Sequence, residues 1–146
     1  MAASGTTPPV PVLARVRDPL LVGAGVVAAV ALVALRDPHT SGSYGICPSL
    51  LLTGFWCAGC GGLRATYDLV HGDLAGAWGM NPLWVALVPV LLVGWATWFA
   101  RHARGAPTRS PTARAARRWL PWTVLATAVL FTVARNVPAL APWLAP

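Results

Sequence analysis

Three long apolar stretches dominate the hydrophobic pattern of this chain. Residues 19–35, 82–100 and 119–134 contain no charged side chain. About 20 apolar residues are needed to cross the ~30 Å hydrocarbon core of a bilayer, so the first and third stretches require a few flanking residues to span it. The pattern therefore predicts an all-α membrane protein with three transmembrane helices.

Proline and asparagine mark the predicted helix ends. Pro19 is the first residue of the first stretch and marks the predicted helix start, and Asn81 followed by Pro82 provides an N-cap and a proline at the first position of the second helix. Pro89 lies inside that helix, where we expect a kink of the kind that membranes tolerate. Pro121 lies near the start of the third helix.

A shorter amphipathic segment lies between the first two spans. Apolar residues recur at helical spacing from residue 63 to residue 74, which predicts a short helix. Gly72 suits the left-handed position after that helix, and Asp73 can cap a second short helix. The sequence therefore predicts a short amphipathic or re-entrant helical hairpin between the first and second transmembrane helices.

The composition excludes two other classes of protein. The chain has 146 residues, of which 56% are hydrophobic and only 10% are charged, and its net charge is +7. A disordered chain needs low hydrophobicity and abundant charge. A soluble domain carries about 25% charged residues, so a water-soluble globule is also disfavoured. Of the classes considered, this leaves a membrane protein, whose length is that of about one domain.

Arginine is distributed unevenly between the two ends of the predicted bundle. Arg15 and Arg17 precede the first span and six arginines lie in residues 101–118, whereas three lie elsewhere. Cytoplasmic loops carry an excess of Lys and Arg, so we expect the N-terminus and the 101–118 loop to be cytoplasmic. Residues 36–81 and the C-terminus then lie outside the cytoplasm, in a multi-pass protein of the plasma membrane.

These segments predict a simple domain organisation. We expect a flexible cytoplasmic tail over residues 1–18 and a single membrane domain over residues 19–146. The Arg-rich loop at 101–118 would attract anionic lipid headgroups, at about 1 kcal/mol per Arg near the surface. Because it lacks interleaved aromatic residues, the lipid bilayer rather than nucleic acid is the expected partner.

All three cysteines lie in the segment between the first two spans, and Cys57 and Cys60 have C-x-x-C spacing. One interpretation is a structural disulfide, such as Cys47 with Cys57 or Cys60, which would fasten the segment to the bundle and is favoured by an oxidising location. A second is a metal site, in which Cys47 and either His39 or His71 complete a zinc ligand set. A third is redox exchange, with the Cys57 thiolate stabilised at a helix N-terminus.

The charged residues near these cysteines suggest a polar network. Arg64 and Asp68 lie four positions apart on one predicted helix and could pair. Arg135 closes the third span, either as an anchor that reaches the headgroups or as a partner of Asp68 or Asp73. The candidate network comprises Arg64, Asp68, His71, Asp73, Arg135 and Asn136.

The ordered motifs of residues 46–144 resemble a widespread family of small bacterial membrane proteins that is known as a domain of unknown function. Its features are a Cys-Pro pair, a C-P-G-C-G-x-T-R run, a Gly-Asp pair, Asn-Pro-Leu and Arg-Asn. This chain departs from the family at Ala58, where proline is usual, and at Leu63, where threonine is usual. The matching positions are Cys47, Pro48, Gly54, Cys57, Gly59, Cys60, Gly61, Arg64, Gly72, Asp73, Asn81, Pro82, Arg135 and Asn136.

The resemblance implies no activity, so function has to be inferred from the residues. We favour a non-catalytic accessory or scaffold component, whose Cys/Arg/Asp hairpin docks a membrane protein partner or a second copy of the chain. The first alternative is a thiol-disulfide or metal-binding protein that uses Cys47, Cys57 and Cys60. The second is a transporter subunit with the polar network along its path. We assign no catalytic residue and no cofactor other than zinc in the metal-binding alternative.

Overall fold

Helices form all the regular structure among the described residues, which confirms the all-α class and includes no strand. The computed structural model describes residues 11–40, 44, 47–105 and 111–146, and the side chains of all of these except 111–116. Most of the expected tail at 1–18 and the middle of the 101–118 loop lie outside the described residues. The helices are α1 (Val12–Leu35), α2 (Pro48–Thr53), α3 (Gly62–Val70), α4 (Leu74–Met80), α5 (Pro82–Ala103), α6 (Pro111–Asn136) and α7 (Ala141–Leu144).

Helices α1 and α5 pack against each other in opposite directions. The indole N–H of Trp95 donates a hydrogen bond of 3.0 Å to the carbonyl oxygen of Pro19. A Cβ atom at Gly23 would lie 2.9 Å from the Trp95 ring, so the absent side chain allows this close approach. At the same end of the pair, the guanidinium of Arg15 lies close to Gly105.

Two helices in the described part of the chain, not the three predicted, are long and apolar enough to cross a membrane: α1 and α5. The third predicted span, 119–134, lies within α6, which does not meet the same criterion. The reason is that its uncharged stretch is short, contains Pro121 and several Trp and Thr residues, and is bounded by Arg118 and Arg135.

The long helices extend beyond the apolar stretches that predict them. Helix α1 begins at Val12, so Pro19 lies inside the helix and is buried rather than marking its start. Helix α5 continues to Ala103, and α6 begins at Pro111, inside the expected 101–118 loop. Charged residues at these ends do not stop a helix, because their side chains can extend into water while the backbone stays helical.

The predicted hairpin consists of α3 and α4, which pack together at one end of α1 and α5. Ala65, Ala77 and Val85 form a small buried cluster, with Leu69, Met80 and Trp84 packed around it. Gly72 has a left-handed φ of 83°, and the Asp73 carboxylate caps α4 by accepting from the Gly76 N–H at 2.8 Å, both as predicted. The short helix α2, which no periodicity predicts, precedes the hairpin.

Helix α6 runs antiparallel to α5 and ends at the hairpin. An apolar groove of about 350 Å³ separates the two helices. Its lining includes Leu83 and Leu87 of α5, Val124 and Ala128 of α6, and Gly59 in the turn between Cys57 and Cys60. The last turn of α6 lies beside this cysteine segment, because Arg135 donates to carbonyl oxygens of the turn.

Candidate metal centre

The three cysteine sulfur atoms converge at the hairpin end of the molecule. The Sγ atoms of Cys47 and Cys60 are 2.9 Å apart, those of Cys57 and Cys60 are 3.1 Å apart, and those of Cys47 and Cys57 are 3.7 Å apart. Cys60 is buried, whereas Cys47 and Cys57 are half-buried. Among the described residues, these three form the group of Cys, His and acidic side chains that could hold a metal ion.

The expected disulfide is absent, because all three cysteines are free thiols. A covalent S–S bond measures about 2.05 Å, well below each of the three separations. The thiols interact through hydrogen bonds instead, and the backbone N–H of Cys57 also donates to the Cys60 sulfur at 3.3 Å. The structural-disulfide interpretation of the C-x-x-C spacing is therefore not supported.

Two local backbone features bring the sulfurs together. Cys47 is the N-cap residue of α2, and Pro48 occupies the first helical position. Cys57 and Cys60 lie at the two ends of a tight turn, in which the Cys60 N–H donates to the Cys57 carbonyl at 3.1 Å. The turn continues into Gly61, whose φ of 78° favours glycine, and a Cβ atom there would lie 2.5 Å from the Met80 carbonyl oxygen.

A buried amide side chain fastens the C-x-x-C turn to the start of α5. Asn81 is 1% exposed, and its side-chain N–H groups donate to the carbonyl oxygens of Ala58 at 2.9 Å and Cys60 at 3.0 Å. Its Oδ1 accepts from the Trp84 N–H at 2.9 Å, which confirms the predicted N-cap. The same side chain thus caps a helix and orients the cysteine turn.

Two consecutive residues at the end of α6 bind the same turn. Arg135 is completely buried, and its Nη1 donates to the carbonyl oxygens of Cys57 at 3.0 Å and Cys60 at 2.9 Å. Its Nη2 donates to Met80 at 3.1 Å. Asn136 exchanges two hydrogen bonds with the backbone of Trp56, at 3.0 and 2.9 Å. Arg135 is therefore neither a headgroup anchor nor a partner of Asp68 or Asp73.

The thiols differ in acidity. The pKa of Cys47 is lowered to about 7, chiefly because its sulfur accepts a hydrogen bond from the Cys60 thiol and next because the Leu50 N–H points at it. Burial raises the pKa of Cys60 to about 12. The redox interpretation of the sequence expected Cys57 to lie at the start of a helix. In the structure Cys47 is the N-cap residue of α2, and the pKa of this thiol is lowered.

The remaining polar candidates have other partners. His39 Nε2 lies 2.8 Å from an oxygen of the Asp68 carboxylate, and Arg64 donates to the Pro38 carbonyl at 3.2 Å instead of pairing with Asp68. His71 Nδ1 lies 2.8 Å from the carbonyl oxygen of Tyr67. Neither histidine joins the group of three sulfurs, so the Cys₃His ligand set expected for zinc does not form here.

Sequence reasoning treated Asn81 only as a helix cap and missed its role at the cysteine turn. The available signal was weak, because helix capping alone accounts for an Asn-Pro pair at a helix start and no further contact is needed to explain it. For Arg135 the sequence offered its charge and its place in the Arg-Asn pair of the family resemblance, and neither of these indicates which groups it binds. Both residues act across long separations in the chain, which local periodicity does not encode.

Comparison with curated proteins and with solved structures gives no match to this chain. One family model does match, over a segment that starts at Cys47 and contains all three cysteines, the hairpin and Asn81. The match ends within α5, before Arg135 and Asn136. Residues 47–95 therefore match the family described as "Protein of unknown function (DUF2752)", which confirms the resemblance to a domain of unknown function over these residues.

Proposed function

We propose that this chain is an integral membrane protein whose three cysteines bind a thiophilic divalent metal ion, such as Zn²⁺. The ion would have a structural, non-catalytic role and hold the cysteine segment in place at one end of the helices. The observation that carries the proposal is the convergence of three free thiols, with Sγ separations of 2.9, 3.1 and 3.7 Å.

The membrane assignment is supported by the surface of α1 and α5. Within the apolar windows of these helices, only 11% and 6% of the residues are buried inside the chain. The core helix of a soluble protein would be mostly buried, whereas these helices expose large aliphatic side chains over most of their length. Lipid is the surrounding that accommodates such a surface.

We extend the proposal to α6 and to the orientation. Helix α6 is antiparallel to α5 and exposes Leu125, Val129 and Leu130, so we propose that it accompanies α1 and α5 through the same layer. The hairpin end would then lie outside the cytoplasm. The opposite end, which carries Arg15, Arg17 and the loop after α5, would lie inside it.

The sulfur geometry fits a thiolate site with modest adjustment. Three sulfurs that each lie about 2.3 Å from a tetrahedral zinc ion are about 3.8 Å apart. The Cys47–Cys57 separation of 3.7 Å is already close to this value, and the other two need to open by less than an ångström. Because His39 and His71 are bonded elsewhere, the three cysteines are the ligands that the described residues offer to the ion.

The proposed role follows from what the ligands connect. Cys47 belongs to α2, whereas Cys57 and Cys60 belong to the turn that Arg135 binds from α6. An ion held by all three would therefore join α2 to the turn. A structural metal contributes its binding free energy directly to folding.

The test is metal analysis and thermal unfolding of the protein purified in detergent, before and after chelation and reloading with Zn²⁺. We expect one bound ion, protection of all three thiols from alkylation, and a lower Tm without metal. Cys47→Ser, Cys57→Ser and Cys60→Ser should each reduce binding, with Ser49→Ala as the matched control beside Cys47. Absence of bound metal, or a Cys57–Cys60 disulfide that exchanges with glutathione, would overturn the proposal.

Orientation has a separate test. A membrane-impermeant maleimide is applied to intact cells after mild reduction and metal chelation, and the labelling of Cys47 and Cys57 is compared with that in lysed cells. We expect equal labelling in both. Labelling that appears only after lysis would place the hairpin inside the cell.

A further inference from the structure

Arg135 is a buried cation without an acidic partner. Its residue is 0% exposed, and its three hydrogen bonds all go to carbonyl oxygens, those of Cys57, Cys60 and Met80. Its guanidinium carbon lies 5.1 Å from the centre of the Phe131 ring. Among the described side chains no carboxylate pairs with it, because Asp68 bonds to His39 and Asp73 caps α4.

A buried charge is costly unless an opposite charge compensates it. Carbonyl dipoles compensate Arg135 in part. The groups near it that can become anionic are the three thiols, with which it interacts electrostatically. It also binds the backbone carbonyls of two of these residues, Cys57 and Cys60. The arrangement places a permanent positive charge beside a cluster that becomes negative when it binds a metal ion.

We infer that Arg135 is the counter-cation of the metal-bound thiolate cluster and that its single charge sets how many thiolates the bound ion takes. The inference rests on the proposed function and adds to it the balance of charge between the bound ion, the thiolates and Arg135. When a divalent ion binds, three thiols each lose a proton to solvent and three metal–sulfur bonds form. The complex carries one negative charge, which Arg135 neutralises.

A monovalent ion leaves a different balance. Three thiolates around it would carry two negative charges, one more than Arg135 supplies. Neutrality then requires one thiol to keep its proton, and the ion is held by two sulfurs. One buried arginine therefore matches three thiolates on Zn²⁺ or Cd²⁺ and two thiolates on Cu⁺ or Ag⁺.

The experiment uses the whole protein in detergent, with Cd²⁺ and Ag⁺ as soft probe ions that differ in charge. Two variants, Arg135→Lys and Arg135→Gln, both lose the guanidinium fork, but only the first keeps the charge. We expect Arg135→Gln to weaken Cd²⁺ binding about 10- to 100-fold, the range found for partners of metal ligands. Arg135→Lys should lie close to wild type with both ions, and Arg135→Gln should also weaken Ag⁺ binding, because the complexes of both ions carry one negative charge.

Proton release provides a second measurement that a merely structural role would not alter. Near pH 6, Cd²⁺ should displace one proton more than Ag⁺ from the wild-type protein, and the Arg135→Gln variant should release one proton fewer with Cd²⁺. If both variants fail to fold, the wild-type difference between the two ions decides alone. Equal release for Cd²⁺ and Ag⁺ would overturn the inference.

The outcomes separate the inference from the proposed function. If wild type binds neither ion through its cysteines, the proposed function fails. If it binds Cd²⁺ but Arg135→Gln binds it equally well, or both variants weaken binding equally, the metal site stands and the counter-charge role of Arg135 is wrong.

Discussion

Arg135 and Cys60 are 75 positions apart in the chain, yet Nη1 of the arginine lies 2.9 Å from the carbonyl oxygen of the cysteine. The bond joins the last turn of α6 to the turn that carries two of the three thiols. The C-terminal helix is therefore part of the cysteine site, although the family match ends well before it. Four predictions test how this end of the molecule is held.

The first concerns Gly61. Alanine at Gly61 would combine a left-handed φ with a Cβ 2.5 Å from the Met80 carbonyl, whereas Gly54 has a similar φ of 72° and open space around it. Gly54→Ala should lower the free energy of unfolding by about 1–2 kcal/mol, the cost of the left-handed conformation. Gly61→Ala should lower it further and speed alkylation of the thiols. Thermal unfolding in detergent checks both, and equal losses would contradict the proposed clash.

The second concerns thiol reactivity in metal-free protein. The pKa of Cys47 is lowered to about 7, so its alkylation rate should rise as pH increases through 7, since the thiolate is the nucleophile. Cys60, whose pKa is raised to about 12, should stay unreactive over the same range. Mass spectrometry of samples alkylated between about pH 5 and 9 shows which cysteine is alkylated first as the pH rises. Alkylation of Cys60 before Cys47 would contradict the prediction.

The third concerns the partner of Asp68. His39 Nε2 lies 2.8 Å from Oδ1 of the Asp68 carboxylate. The other oxygen, Oδ2, is buried and has no hydrogen-bond partner among the described residues. A double-mutant cycle of His39→Ala with Asp68→Ala should give a coupling energy of about 0.5–1 kcal/mol. The cycle of Arg64→Ala with Asp68→Ala is the control and should be additive. Coupling only in the Arg64 cycle would restore the helix pair that the sequence suggests.

The fourth concerns Asn81. Asn81→Asp keeps the oxygen that caps α5, but it replaces the N–H donor to the Ala58 and Cys60 carbonyls with a second oxygen. Buried acceptors would then face each other, and we expect a loss of about 2–4 kcal/mol in unfolding free energy. Asp73→Asn, an exchange at a cap with one hydrogen bond, is the control and should change stability little. Similar Tm values for the two variants would rule out the donor role.

Much of the helical framework is readable from the sequence because its signals are local. Apolar stretches predict α1 and α5, spacing of apolar residues predicts α3, and cap residues such as Asp73 and Asn81 predict helix starts. The helix ends extend further than predicted, since arginine and aspartate near a helix end are compatible with continued helix.

The centre itself was less predictable. The C-x-x-C spacing singles out Cys57 and Cys60, but the approach of Cys47 depends on α2, a six-residue helix without a periodic pattern. The partners of Arg64, Asp68 and Arg135 are all set by tertiary packing. Sequence spacing suggested pairing between Arg64 and Asp68, and only the fold shows that His39 replaces the arginine.

The groove between α5 and α6 has a mechanical consequence. Because Arg135 and Asn136 tie only the last turn of α6 to the cysteine segment, α6 resembles a lever hinged at that end. A tilt of α6 about this end would pull directly on the carbonyls of Cys57 and Cys60. The spacing of the sulfur atoms is thereby coupled to the direction of α6.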